Sequence, residues 1–150
     1  MSYIINIDTA TATAHVSIAQ DGKLLQALQN ESQKDHGAFV QTAIQQLLKA
    51  AALSFVDIDA IAVTAGPGSY TGLRVGLASA KGLCYALNKP LLTLNTLEVL
   101  TTAAKKFSNN QQGVLYCPMI DARRMEVFTA LYTDTLTALV PPCAMILNDT

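Results

Sequence analysis

The chain has no tryptophan, two histidines, three cysteines and few charges, only 14% of its residues being Asp, Glu, Lys or Arg. Each shortage excludes something. Cys84, Cys117 and Cys143 are odd in number, widely spaced and never in a Cys-x-x-Cys pair. They spell neither a disulfide framework nor a zinc site and read as buried, reduced thiols of a cytosolic protein. His15 lies inside a strand pattern and His36 just before a helix, so no two histidines stand at a spacing suited to sharing a metal. The net charge of −1 lacks the electrostatic footprint of a nucleic-acid or anionic-membrane binder. RNA contact is therefore expected only through a partner. No apolar run approaches the roughly 18 residues of a membrane span, and Met1–Asn6 lacks the basic start of a signal peptide. A soluble, cytoplasmic protein is expected.

What the chain does have is apolar content, 51% over 150 residues, enough for a full core. With so few charges to cover the rest, an apolar patch that another chain covers is expected. The pattern opens as an antiparallel meander: a strand Tyr3–Ile7 ending at Asp8, a loop Thr9–Thr13, a strand Ala14–Ala19, an Asp21-Gly22 hairpin turn and a strand Lys23–Asn30. Glu31–Gly37 reads as a turn. Ala38–Leu53 is helical, with Val40, Ile44, Leu47 and Ala51 on one face and Gln41, Gln45 and Lys49 opposite. A strand Ala60–Ala65 follows.

That strand runs into Gly66-Pro67-Gly68-Ser69-Tyr70-Thr71-Gly72-Leu73-Arg74-Val75-Gly76, and a helix Thr71–Leu87 leaves it. Strand, glycine-rich turn and helix can cradle a phosphate on backbone N–H groups. The stretch nevertheless matches neither G-x-x-x-x-G-K-[ST] nor G-x-G-x-x-G, and Pro67 removes a donor. Asp8, Thr9, Thr11, Gly66, Gly68 and Ser69 are left as a weak nucleotide-binding set. Ser69 or Thr71 as helix N-cap explains the hydroxyls without a ligand. Glycine inside a helix costs about 1 kcal/mol relative to alanine, so Gly72 and Gly76 mark a face for close packing. That face continues through Ser79, Ala80 and Leu83. Together with Val40, Ile44 and Leu47 it is the expected partner interface.

Asn88-Lys89-Pro90 stops the helix; a strand Leu91–Leu94 and a helix Leu97–Phe107 capped by Asn95-Thr96 follow. Ser108–Gly113 is polar and flexible in composition, placing a first unit at 1–107, a linker at 108–113 and a second unit at 114–150. In the latter, a strand Val114–Ile120 delivers Asp121, Ala122-Arg123-Arg124 turns, Met125–Tyr132 returns, and Leu136–Val140 is a third strand. Ile7-Asp8-turn-strand-turn-strand thus recurs as Ile120-Asp121-turn-strand-turn-strand, an internal repeat. The second copy lacks the helices of the first, so it is expected to be incomplete: a fragment, or a unit reduced to a meander. The expected fold is α/β, an actin-like ATPase (ribonuclease-H-like) architecture with a mixed five-stranded sheet covered by helices. Fold alone assigns no activity. A nucleotide-hydrolysing or metal-dependent hydrolase using Asp8 and Asp121 is the alternative to a binding role.

The Gly66–Gly76 stretch resembles the TsaB (YeaZ) family of tRNA threonylcarbamoyladenosine biosynthesis proteins. Ile7-Asp8-Thr9-Ala10-Thr11, His36, Asp59-Ala60-Ile61-Ala62 and Ile120–Val127 carry the same likeness, which runs from Tyr3 to about Tyr132. The resemblance implies a scaffold without catalytic or metal-binding residues, which pairs with and activates a TsaD-like transferase. It implies pairing through the first-unit helices, a homodimer when alone, a TsaE-like ATPase as a further partner, and tRNA met only indirectly. No cofactor is implied as tightly bound; ATP or ADP at the interface with the partner is the one open alternative.

Overall fold

The computed structural model describes residues 1–32, 35–109 and 111–148. Parts of the expected Glu31–Gly37 turn, the Ser108–Gly113 linker and the chain's last two residues lie outside that set. The chain divides into two compact units, Met1–Ala65 with Ser69–Leu94, and Gly66–Gly68 with Asn95–Thr150.

In the first unit, β1 (Tyr3–Asp8), β2 (Ala14–Gln20) and β3 (Lys23–Asn30) form the expected meander. β4 (Ala60–Gly66) runs parallel to β1, and β5 (Leu91–Asn95) completes a five-stranded sheet in the order β3-β2-β1-β4-β5. β4 is buried along Ala60–Thr64, as a strand covered on both faces must be. α1 (His36–Ala50) and α2 (Tyr70–Leu87) lie between these strands in the chain. Ile5, Ile7, Val16 and Ile18 from the sheet meet Val40, Ile44 and Leu47 of α1 and Ala80 of α2 in one core. α1 stops three residues before the expected Leu53. Ala52 takes a left-handed φ of 53° and Leu53 N–H donates to the Leu48 carbonyl, a helix stop usually marked by glycine. At the end of α2 the same job falls to Asn88, φ 52°, just before Pro90.

In the second unit, α3 (Thr96–Phe107) precedes a three-stranded sheet β6-β7-β8 (Met119–Arg123, Glu126–Tyr132, Ala138–Ile146). The expected boundary at residues 108–113 is displaced to the start of α3, because Leu97 packs with Ala130 and Tyr132 of β7. The strand expected at Val114–Ile120 begins only at Met119, since Pro118 has no N–H for a ladder. Before it, Tyr116 makes an isolated bridge with Tyr132. Cys117 on this irregular segment is exposed, which corrects the expectation of three buried thiols; Cys84 and Cys143 are half-buried. β8 runs on through Pro141 and Pro142, past the expected Val140. It is an edge strand, where a missing donor can be tolerated.

The Tyr132 side chain is fully buried, yet its hydroxyl, like Thr96 Oγ1, has no partner among the described residues. Burial, and then the Glu98 carboxylate, push its phenol above the usual tyrosine value. The folded state therefore keeps a proton that the unfolded state gives up near pH 10, and stability falls as pH rises beyond that. Tyr132→Phe removes an unpartnered hydroxyl at almost constant volume. We expect chemical denaturation at neutral pH to show it unchanged or up to about 1 kcal/mol more stable, with a shallower loss of stability above pH 10.

Candidate functional site

β1 ends at Asp8, and the chain turns immediately because Asp8 Oδ1 accepts the Ala10 N–H at 3.0 Å. The same oxygen accepts Thr64 Oγ1 at 2.8 Å. Thr64 is buried at the end of β4, where the parallel register pairing Ile7 with Val63 brings it level with Asp8. Thr9 is completely buried, and its hydroxyl donates to the Gly72 carbonyl at 2.6 Å. Thr11 Oγ1 donates to the Thr13 carbonyl at 3.2 Å. The acidic and hydroxyl groups proposed for a nucleotide are thus bonded within the chain.

The start of α2 is engaged in the same way. Ser69 caps the helix, its Oγ accepting the Gly72 N–H at 3.3 Å, while Leu73 N–H donates to the Ser69 carbonyl. Ser69 N–H itself donates to the Ala10 carbonyl at 2.7 Å. Of the N–H groups at the start of this helix, that of Gly72 is thereby engaged by the chain's own cap. Gly66, half-buried, has a φ of 114° that L side chains rarely adopt, so the turn itself requires glycine there.

Gly72 and Gly76 explain why loop and helix sit so close. A Cβ on Gly72 would fall on the Thr9 carbonyl, and one on Gly76 on the Thr9 hydroxyl. The small-residue face of α2 is occupied by the chain's own first loop, which corrects its reading as a surface awaiting another chain. Val40, Ile44, Leu47 and Ala80 are buried in the first unit's own core. Ser79 is half-buried and takes a hydrogen bond from Gln41 of α1, and Leu83 packs against the same core. The outward faces of these helices carry other residues: Gln41, Gln45 and Lys49 on α1, and Arg74, Ala78, Lys81, Gly82, Tyr85 and Ala86 on α2.

His36 stands at the start of α1, 2% exposed, with Nε2 donating to the Ala12 carbonyl at 3.2 Å. The proton is then on Nε2, and Nδ1 has no partner among the described residues. The imidazole ties α1 to the loop after β1. Among the described residues, no group of three His, Cys, Asp or Glu side chains could hold a metal ion. In the second unit Asp121 repeats the Asp8 turn, its Oδ1 accepting Arg123 N–H at 2.7 Å. The internal repeat therefore extends to the hydrogen bond that starts each turn.

A family model described as TsaD, tRNA N6-adenosine threonylcarbamoyltransferase, matches residues 28–145. The tRNA threonylcarbamoyladenosine biosynthesis protein TsaB of Bacillus subtilis (strain 168) is 31% identical over 149 residues, 97% of this chain and 63% of the relative. TsaB of Escherichia coli (strain K12) is 34% identical over 129 residues, 86% of this chain and 54% of the relative. The solved structure of YeaZ from Pseudomonas aeruginosa superposes with a TM-score of 0.89 at 25% identity, covering 100% of this chain and 70% of that one. The chain belongs to the TsaB–TsaD family. These two curated relatives carry the name TsaB, as the Gly66–Gly76 resemblance implies, and the fold is that of the actin-like ATPases. The chain spans between half and two thirds of the length of these two TsaB relatives.

Within this TsaB-like frame, the structure brings Asp8, Thr9 and Ser69 together around one turn. It adds Thr64 and Ala12, to which the sequence assigned no role. Thr64 had left a signal: it is the polar residue in an otherwise apolar strand, two residues before the glycine-rich turn. Asp121 belongs to the second unit, on a hairpin of its own.

Proposed function

We propose that the chain is a non-catalytic partner subunit in tRNA threonylcarbamoyladenosine formation, pairing with a TsaD-like transferase and activating it. The observation that carries this reading is the commitment of the first loop. Asp8, Thr9 and Ser69 are bonded within the chain, Ser69 Oγ capping the Gly72 N–H of α2, in the place where an actin-like ATPase would present groups to phosphate. The TsaB names of its relatives and the match to the TsaD model support the pathway and the kind of partner. In this reading α1 and α2 meet the partner, or a second copy of the chain, through their outward faces. A TsaE-like ATPase joins the pair, and ATP or ADP binds only where the subunits meet.

Gly82 makes the test clean. It is exposed on α2, with nothing near its missing Cβ, so Gly82→Arg has room in the isolated chain and improves helix propensity. The experiment is co-purification with a TsaD-like transferase, followed by a tRNA modification assay. The expected result is a folded Gly82→Arg protein whose affinity for the transferase falls by at least about tenfold, roughly 1.4 kcal/mol. Asp8→Asn, which keeps the acceptor for Ala10 and Thr64, should modify tRNA like the wild type. Turnover of nucleotide by the chain alone, abolished in Asp8→Asn, would overturn the reading.

A further inference from the structure

The hairpin joining β6 to β7 is built from the wrong residues for its shape. Arg123 pairs with Glu126, so Arg124 and Met125 are the two central residues of the turn. Their φ values are 56° and 60°, and Arg123 adds a third left-handed residue at 67°. Positive φ at both centres is the type I′ hairpin turn, which Asn-Gly or Asp-Gly forms at little cost. Side chains such as arginine and methionine are strained there. The protein makes the ordinary choice elsewhere, since the β2–β3 hairpin turns on Asp21-Gly22 with φ values of 48° and 77°.

The three side chains gain no burial in return. Arg123 and Arg124 are exposed, and Met125 is 67% exposed. The turn is nevertheless pinned on both sides. Asp121 Oδ1 holds Arg123 N–H at 2.7 Å, and Leu147 N–H donates to the Met125 carbonyl at 2.6 Å. The same pairing sets Ile146 opposite Glu126, and Ile146 and Leu147 are exposed as well. Two guanidinium groups and three apolar side chains, Met125, Ile146 and Leu147, are therefore held at one end of the sheet. Strained backbone kept in place by its surroundings is characteristic of functional sites.

We infer that this hairpin end docks a segment of a partner protein in which a carboxylate stands beside an apolar side chain. Arginine and methionine are among the residues enriched at such contacts, and the guanidinium fork fits a carboxylate with two parallel hydrogen bonds. The apolar trio supplies the surface that the neighbouring side chain covers. A nucleic-acid backbone fits less well. A phosphate backbone offers no apolar side chain to cover Met125, Ile146 and Leu147, and the chain as a whole carries a net charge of −1. This surface lies in the second unit and does not depend on pairing through α1 and α2.

The experiment measures fluorescence anisotropy of a labelled peptide alternating glutamate and leucine, with a lysine–leucine peptide and single-stranded polyuridine as the other probes. The full chain should bind the first probe and neither of the others. The double variant Arg124→Asn, Met125→Gly installs the unstrained turn. It should raise the folding equilibrium constant by about tenfold or more while weakening the glutamate–leucine peptide by a similar factor. A purely structural hairpin predicts the gain in stability without the loss in binding. Arg123→Gln and Arg124→Gln keep the backbone as it is and should each weaken the peptide without shifting the unfolding midpoint. Peptide binding unchanged in these variants, no binding by the wild type, or polyuridine binding at the same site overturns the inference.

Discussion

Gly72→Ala should destabilise the first unit by about 3 kcal/mol, the opposite of what its place in a helix suggests. Helix propensity alone makes glycine to alanine in a helix favourable by about 1 kcal/mol. Here the new methyl group would land on the Thr9 carbonyl, which is backbone and cannot swing aside. That carbonyl belongs to a loop tied to α2 by the Thr9 hydroxyl on the Gly72 carbonyl and by Ser69 N–H on the Ala10 carbonyl. Pushing loop and helix apart combines an overpacking cost of about 1–3 kcal/mol with the weakening of two hydrogen bonds worth about 1 kcal/mol each. Gly82→Ala is the control. Its Cβ meets nothing, and it should stabilise by about 1 kcal/mol. Urea denaturation of the two variants reads the difference, and equal responses would remove the close approach of loop and helix.

Leu47→Ala should cost about 2–5 kcal/mol, a large fraction of the roughly 5–15 kcal/mol that holds a domain together. Leu47 is 1% exposed and packed among the sheet and helix residues of the first core, so its truncation leaves a cavity that the surrounding side chains only partly fill. The same substitution at a subunit interface behaves differently. There, the loss would depend on protein concentration, and the monomer would be almost unaffected. Unfolding midpoints measured over a wide concentration range separate the two cases. A loss relative to the wild type that is the same at every concentration places Leu47 inside its own chain, where the structure has it.

Much of this protein is legible in its sequence. Alternation in Met125–Tyr132 and the spacing of Val40, Ile44 and Leu47 marked strand and helix, and the structure places β7 and α1 there. The Asp21-Gly22 turn forms where its residues require it. What the sequence obscured has local causes. α1 overran its end because Ala52, rather than a glycine, adopts the left-handed stop. β8 was cut short at two prolines that an edge strand accepts. α3 was grouped with the residues before it, although Leu97 finds its neighbours on β7, far along the chain.

The candidate site shows the same division. Asp8 at the end of the first strand, the glycine-rich turn and the family likeness are properties of residues adjacent in the chain, and the sequence alone determined them. That Gly72 and Gly76 serve close packing also followed from sequence, because glycine inside a helix is costly and needs a reason. Which surface comes close did not follow. A missing side chain states how near a neighbour can approach without naming it, and a small-residue face suits another chain as well as the chain's own loop. Only the tertiary structure decided, by bringing Thr9 across 63 residues of sequence to hydrogen-bond with Gly72. That contact both fills the face once read as a partner surface and engages the hydroxyl once read as a phosphate ligand.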